Sequence, residues 1–130
     1  MIADTSFLID IMANDSSATR KARELEAKGV AVSIASPTVF ELYAGAALSK
    51  KSSEEMLKIT AVVGSLPQLG LDFQSTQEGG LIYGGKVKSG SRIDPEDAML
   101  AGISRVKAEA VITRNIKHFS GIQGVTIEPY

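Results

Sequence analysis

Cysteine and tryptophan are absent from this chain, and histidine occurs once, at His118. Without cysteine there are no disulfides, no thiolate metal ligands and no thiol nucleophile. One imidazole leaves no basis for a multi-histidine metal centre, and no nucleophile-elbow sequence accompanies it to build a serine-hydrolase triad. Aromatic residues make up 5% of the chain, which gives little sign of a base-stacking platform. No apolar run approaches the ~18–20 residues that cross a bilayer, and Met1-Ile2-Ala3 leads straight into an acid rather than a leader sequence. No membrane association is expected, and the expected location is cytoplasmic. A net charge of −1 argues against bulk electrostatic binding of a polyanion, though not against a local basic rim. What is present is an ordinary globular balance, 44% hydrophobic and 22% charged, over 130 residues. No repeat, low-complexity tract or linker divides it, so one domain spanning 1–130 is expected. Its chemistry must rest on carboxylates, amides and hydroxyls.

The punctuation along the chain predicts alternating strands and helices. Residues 1–4 read as a short apolar strand. Phe7, Leu8, Ile11 and Met12 then recur at helical spacing, with Ser6, Asp10 and Asn14 on the other side. Cap residues at 15–17 open a second helix that Gly29 stops. Residues 30–35 fit a buried strand, and Ser36-Pro37 supplies a cap and a first-turn proline for the next helix. A helix from Ser53 ends at Pro67, and residues 68–71 form a short strand. Residues 72–89 read as a helix despite Gly79, Gly80, Gly84 and Gly85, each costing ~1 kcal/mol relative to alanine. Glycines so placed often mark close packing. Asp94-Pro95 repeats the cap-plus-proline device before a helix to Lys107. Residues 110–113 form a strand, 115–120 a short turn or helix, and 125–127 an edge strand. Strands separated by helices imply right-handed parallel crossovers. The expected fold is a three-layer α/β/α sandwich around a mostly parallel sheet of 4–5 strands.

Such sheets bind ligands beyond the carboxyl ends of their strands, where the strand order reverses. Four polar residues stand in that position. Asp4 ends the first strand, Glu41 lies in the first turns of the helix after the second, Asp97 opens the helix before the strand at 110, and Asn115 follows that strand. Three carboxylates and an amide make a hard oxygen site suited to Mg²⁺ or Mn²⁺. Divalent ions there would orient water, lower its pKa and neutralise charge on a phosphodiester. Plainer readings stay open for each residue alone. Asp4 and Asp94 also read as helix caps, Asp97 as a first-turn dipole partner, and Asn115 as a turn residue. Glu41 lies past the first turn, where a dipole explanation weakens. Ala44 and Gly45 one turn beyond Glu41, and Ala101 and Gly102 beyond Asp97, leave either room for a ligand or tight helix packing.

Residues 2–10, Ile-Ala-Asp-Thr-Ser-Phe-Leu-Ile-Asp, resemble the first motif of PIN domains, especially those of VapC-type ribonuclease toxins. Residues 36–45, 93–102 and 111–125 resemble the later motifs in order and spacing, so the likeness covers essentially the whole chain. The resemblance implies a metal-dependent endoribonuclease that leaves 5′-phosphate and 3′-hydroxyl ends. It puts the family's acidic positions at Asp4, Glu41 and Asp97, and a fourth, often aspartate, at Asn115. An amide there adds no charge, which weakens the case for a second ion. Thr5, Ser6 and Thr113 match hydroxyl positions that support the carboxylates, and Asp94 stands within the third motif as a further supporting candidate. The resemblance further implies a homodimer held inactive by a small antitoxin protein. Apolar surface on the helices at 39–48 and 56–66 exceeds what a small core needs, in keeping with such partners.

An RNA substrate would also need phosphate contacts, for which Arg114, Lys117 and Arg92 are the candidates. Two other classes compete. A PIN-fold RNA-binding or scaffold module without turnover is motivated by Asn115. A magnesium-dependent phosphatase would require a second aspartate two residues after Asp4, where Ser6 stands.

Overall fold

Alternation of side chains along very short strands divides the interior into two cores. A computed structural model describes all 130 residues, with strands β1 (Ile2–Ala3), β2 (Ser33–Ala35), β3 (Gln68–Leu69), β4 (Val111–Ile112) and β5 (Ile127–Glu128). All pairings are parallel, in the order β3-β2-β1-β4-β5. Ile2, Ala35 and Val111 face one core, whereas Ala3, Ile34 and Ile112 face the other. This is the two-residue period of a sheet buried on both faces.

Helices α1 (Thr5–Met12), α2 (Ser16–Ala27), α3 (Ser36–Leu48) and α4 (Ser52–Ser65) cover the Ala3 face through Phe7, Leu8, Leu25, Leu42, Ile59 and Val63. Helices α5 (Phe73–Lys88), α6 (Pro95–Lys107) and α7 (Ile116–Phe119) cover the Ile2 face through Ile82, Leu100, Ile103 and Phe119. The result is the expected three-layer sandwich, with five strands, all parallel. No helix is long and apolar enough to cross a membrane. The chain runs outward from β1 through β2 to β3, then returns to the other side of β1 as β4 and β5. The order therefore reverses between β1 and β4, and sheets of this kind bind ligands beyond the carboxyl ends at such a reversal.

Several local expectations shift. Ser36 is the first helical residue rather than the cap: Ala35 holds the cap position, and the Ser36 hydroxyl donates to the Leu69 carbonyl at 3.3 Å. Asp94 stands at the cap of α6 without a side-chain cap bond. The last strand begins two residues later than periodicity predicts, at Ile127, because Val111 and Ile112 register against Ile127 and Glu128. In α1 the polar side is buried along with the apolar one: Phe7 and Leu8 are each 3% exposed and Ser6 and Asp10 each 7%, whereas Ile9 is 46% exposed.

Helix α5 is continuous, and its glycines divide by role. A Cβ on Gly102 of α6 would lie 2.3 Å from the Ser75 carbonyl oxygen and 2.6 Å from the Gly79 nitrogen. One on Gly79 would lie 3.0 Å from the Ala98 carbonyl. These two glycines let α5 and α6 touch backbone to backbone, so Gly102 serves packing rather than ligand access. Gly80, Gly84 and Gly85 face open space. Gly102→Ala should accordingly destabilise the fold by about 1–3 kcal/mol through overpacking. Gly84→Ala should stabilise it by about 0.5–1 kcal/mol through helix propensity alone. Urea unfolding of the two variants checks the contrast, and similar midpoints would contradict it.

Candidate active site

Asp4 is placed by sheet register. Since Ala3 pairs with Ile112, the next residues on β1 and β4 are Asp4 and Thr113, and the Asp4 N–H donates to the Ile112 carbonyl at 3.1 Å. Thr113 Oγ1 donates to Asp4 Oδ2 at 2.7 Å, and Ser6 Oγ donates to the same oxygen at 2.8 Å. The other oxygen, Oδ1, accepts the Thr5 N–H at 2.8 Å as the cap of α1. Capping and site placement are therefore compatible in one residue. Asp4 is 3% exposed, a burial that a carboxylate tolerates only with partners of this kind.

Glu41 arrives from the other neighbour of β1. Helix α3 follows β2 without a loop, and the buried Thr38 hydroxyl donates to the Ala3 carbonyl at 3.4 Å, holding its first turn over the end of β1. One turn on, Glu41 Oε2 accepts from Thr5 Oγ1 at 2.6 Å. Burial raises the Glu41 pKa above its ordinary value, the Thr5 bond opposes this, and the fields of Asp97, Asp4 and Glu96 add to it.

Asp97 sits in the first turn of α6, 7% exposed. Its Oδ2 lies 2.6 Å from Nδ1 of His118 on α7, which the buried Phe119 anchors. Burial also raises the Asp97 pKa, the His118 hydrogen bond lowers it, and Asp4 and Asp94 push it up. Each acid thus lies in the field of the others. As oriented, no three acidic or imidazole groups form a ready-made coordination shell. The donor chemistry nevertheless fits a divalent cation: hard oxygens only, on acids whose mutual repulsion a cation would relieve.

The supporting residues fall into two groups. Thr5, Ser6 and Thr113 bond the carboxylates directly, and the Thr113 oxygen also accepts the Asn115 N–H at 2.9 Å. Asn115 itself is exposed at the start of α7, with no side-chain cap bond. Asp94 is exposed and acts on Asp97 only through its field. Of the candidate phosphate contacts, Lys117 and Arg92 are exposed, while Arg114 is held by Asp10 at 2.7 Å.

Sequence reading passed over Asp10, Tyr130, Glu96 and the His118–Asp97 contact. Asp10 Oδ2 accepts from both Arg114 and the Tyr130 hydroxyl, at 2.7 and 2.8 Å. Tyr130 packs edge-on against Phe7, with ring centroids 5.0 Å apart. Chiefly through burial, its pKa is pushed up to about 12, so it remains a donor at neutral pH. The only local signal was a polar residue on the apolar helix at 5–12. A groove of about 440 Å³ adjoins Glu41, lined by Ile9, Leu42, Gly45, Ala46 and Ile59 among others. Another cavity, about 500 Å³, lies by α5 and α6 and shares no residue with the acids.

A family model for the PIN domain matches residues 1–124. The chain is 29% identical over 97 residues to a tRNA(fMet)-specific endonuclease VapC of Salmonella typhimurium, covering 75% of this chain and 74% of that one. Among solved structures it resembles VapBC2 from Rickettsia felis bound to a promoter DNA fragment, with a TM-score of 0.88 and 22% identity over 99% of this chain and 97% of that one. It also resembles DNA-bound VapBC from Salmonella typhimurium, with a TM-score of 0.85 and 26% identity over 98% and 96%.

The crowding of the acids has a measurable consequence for stability. With its folded pKa raised, Glu41 binds more protons in the folded than in the unfolded state. Stability is therefore lost as pH rises from the ordinary value of 4.5 through the raised one. Metal-free Glu41→Gln should melt a few degrees above the parent at neutral pH. The two should converge below the ordinary glutamate pKa. A gap independent of pH would contradict the assignment.

Proposed function

The chain belongs to the PIN domain family, and from that premise we propose that it is a metal-dependent endoribonuclease, the toxin of a VapBC-type toxin–antitoxin pair. The gathering of Asp4, Glu41 and Asp97 at the reversal between β1 and β4 carries this reading. Their likeness in order and spacing to the motifs of VapC-type toxins supports it. The relative from Salmonella typhimurium is named for cutting tRNA(fMet), which makes transfer RNA a sensible first substrate.

In this mechanism Asp4, Glu41 and Asp97 would hold Mg²⁺ or Mn²⁺. When bound, the ion supplies Lewis-acid charge for acidifying water and for neutralising the phosphodiester. Thr113 and Ser6 fix one oxygen of Asp4, and Thr5 fixes one of Glu41, which limits how far these carboxylates can turn. His118 holds Asp97 from outside. Asn115, free of cap bonds, is available to orient water at the open side. The 2′-hydroxyl is not the nucleophile, so a 2′-deoxy substitution at the scissile position is tolerated.

Partners follow from the uncovered apolar surface. Phe40 on α3 is 62% exposed, Leu57 on α4 75%, and Phe73 and Leu81 on α5 80% and 68%. Burying such side chains is worth roughly 25 cal/mol per Å², enough to favour a homodimer and an antitoxin segment beside the Glu41 groove. Phe73 and Leu81 extend this surface to a helix where the sequence had not suggested it.

Three outcomes test the proposal. Purified chain with Mg²⁺ or Mn²⁺ should cut transfer RNA to 5′-phosphate and 3′-hydroxyl ends, and a chelator should stop it. Folded Glu41→Gln and Asp97→Asn proteins should lose at least ~100-fold in rate, the several kcal/mol expected for removing a ligand. Retained RNA affinity without any cleavage by the unaltered chain would favour a binding module instead. The chain alone should also sediment as a dimer, and a concentration-independent monomer would remove the homodimer from the proposal.

A further inference from the structure

The cations of this chain divide sharply between those that are paired and those that are not. Of 14 lysines and arginines, Lys21, Lys28, Lys58, Lys107, Arg105 and Arg114 sit in ion pairs. Arg20 and Arg23 on α2 have no acidic partner and are exposed. They are three residues apart, hence on one helix face with Cβ atoms about 5–6 Å apart. Both line one shallow concavity with Asn14, Ser16 and Thr19, and no apolar residue enters it.

Most acids near them are engaged elsewhere, Glu26, three residues from Arg23, being exposed and outside any ion pair. Lys21 lies 3.7 Å from Glu24 and 2.5 Å from Glu128, and Lys28 lies 2.6 Å from Glu24. Asp15 is turned back to accept the N–H groups of Ser17 and Ala18. Against the single free acid Glu26, Arg20 and Arg23 leave a local positive excess within a chain of net charge −1.

A chain of neighbours leads from these arginines towards the carboxylates. Arg20 also lines the next depression, together with Lys21, Glu24 and Tyr130. The Tyr130 hydroxyl bonds Asp10, and Asp10 holds Arg114, which stands in sequence between Thr113 and Asn115. One Arg114 nitrogen is bound this way while the side chain remains 56% exposed, so its orientation is set and much of its fork is free.

We propose that Arg114, Arg20 and Arg23 form a track along α2 on which the phosphate backbone of the RNA substrate lies as it leaves the cleft, with Asp10 and Tyr130 positioning Arg114. The inference rests on the ribonuclease reading above. Planar guanidinium forks pair two-pronged with phosphate oxygens, and the neighbouring hydroxyls and amide add neutral donors. Tyr130 is already engaged by Asp10 and Phe7, so the track recognises backbone and shape rather than stacked bases.

The test is equilibrium binding of transfer RNA to the Asp97→Asn protein, which reads affinity without turnover, over a range of salt concentrations. Adding Arg20→Ala and Arg23→Ala should weaken binding ~10-fold or more and flatten the log–log salt slope by about two, one per phosphate contact. Lys50→Ala with Lys51→Ala removes two other unpaired, exposed cations, in the α3–α4 turn, and should leave affinity and slope unchanged. Unaltered melting temperatures exclude misfolding, since all four side chains are exposed. Equal affinity with and without the arginines overturns the track. An equal loss from the two lysines also overturns it, because net charge alone would then be responsible. If RNA is bound through the arginines but the parent chain never cuts it, the track stands and the nuclease reading falls. If the parent cuts RNA and the arginine variant binds it undiminished, the reverse holds. A chain that neither binds nor cuts RNA sinks both.

Discussion

Repulsion among buried carboxylates is the constraint around which this molecule is arranged. Asp4 and Asp97 are almost wholly shielded from water, Glu41 is half-buried, and no lysine or arginine stands among them to cancel their charge. Left uncompensated, such burial is among the costliest things a fold can contain. Short hydroxyl donors meet part of the cost. Thr5, Ser6 and Thr113 each hold a carboxylate oxygen without bringing a positive charge that would compete with a cation. Only His118, on Asp97, departs from this pattern. The raised pKa values of Glu41 and Asp97 measure what those hydroxyls do not offset.

The scaffold keeps these groups from separating. Strands of two or three residues hold little stability themselves, and the rigidity comes from the layers above and below. On one face the glycine contact between α5 and α6 fixes the start of α6, and with it Asp97. On the other, α3 follows β2 without a loop, and Thr38 ties its first turn to β1. Relaxing the acids apart would mean breaking a close-packed interior, which is the usual way a fold stores functional strain.

Charge of the opposite sign is handled in a complementary way. Several acids away from the site are matched with lysines, as Glu24 and Glu128 are with Lys21, while the arginines on α2 are left unmatched. Near-zero net charge therefore conceals a negative cleft with an uncompensated positive flank. Under the proposed function, the first would take a cation and the second a polyanion.

Much of this was legible in the chain because it is local. Apolar periodicity, Pro37 and Pro95 in first turns, and a cap at Asp15 mark the helices, and the placing of acids after strands marked Asp4 and Glu41 as candidates. Two edges blurred: Ser36 reads as a cap but is drawn into the helix, and the last strand shifts because its register is set by β4 rather than by its own pattern. What the chain could not reveal is everything decided by pairing between distant segments. Which glycines touch, that Asp10 answers both Arg114 and the final Tyr130, and that His118 reaches Asp97 all depend on the order β3-β2-β1-β4-β5. A residue's own neighbourhood determines its backbone preference, whereas the partner of a buried polar group is chosen by the geometry of the packed layers.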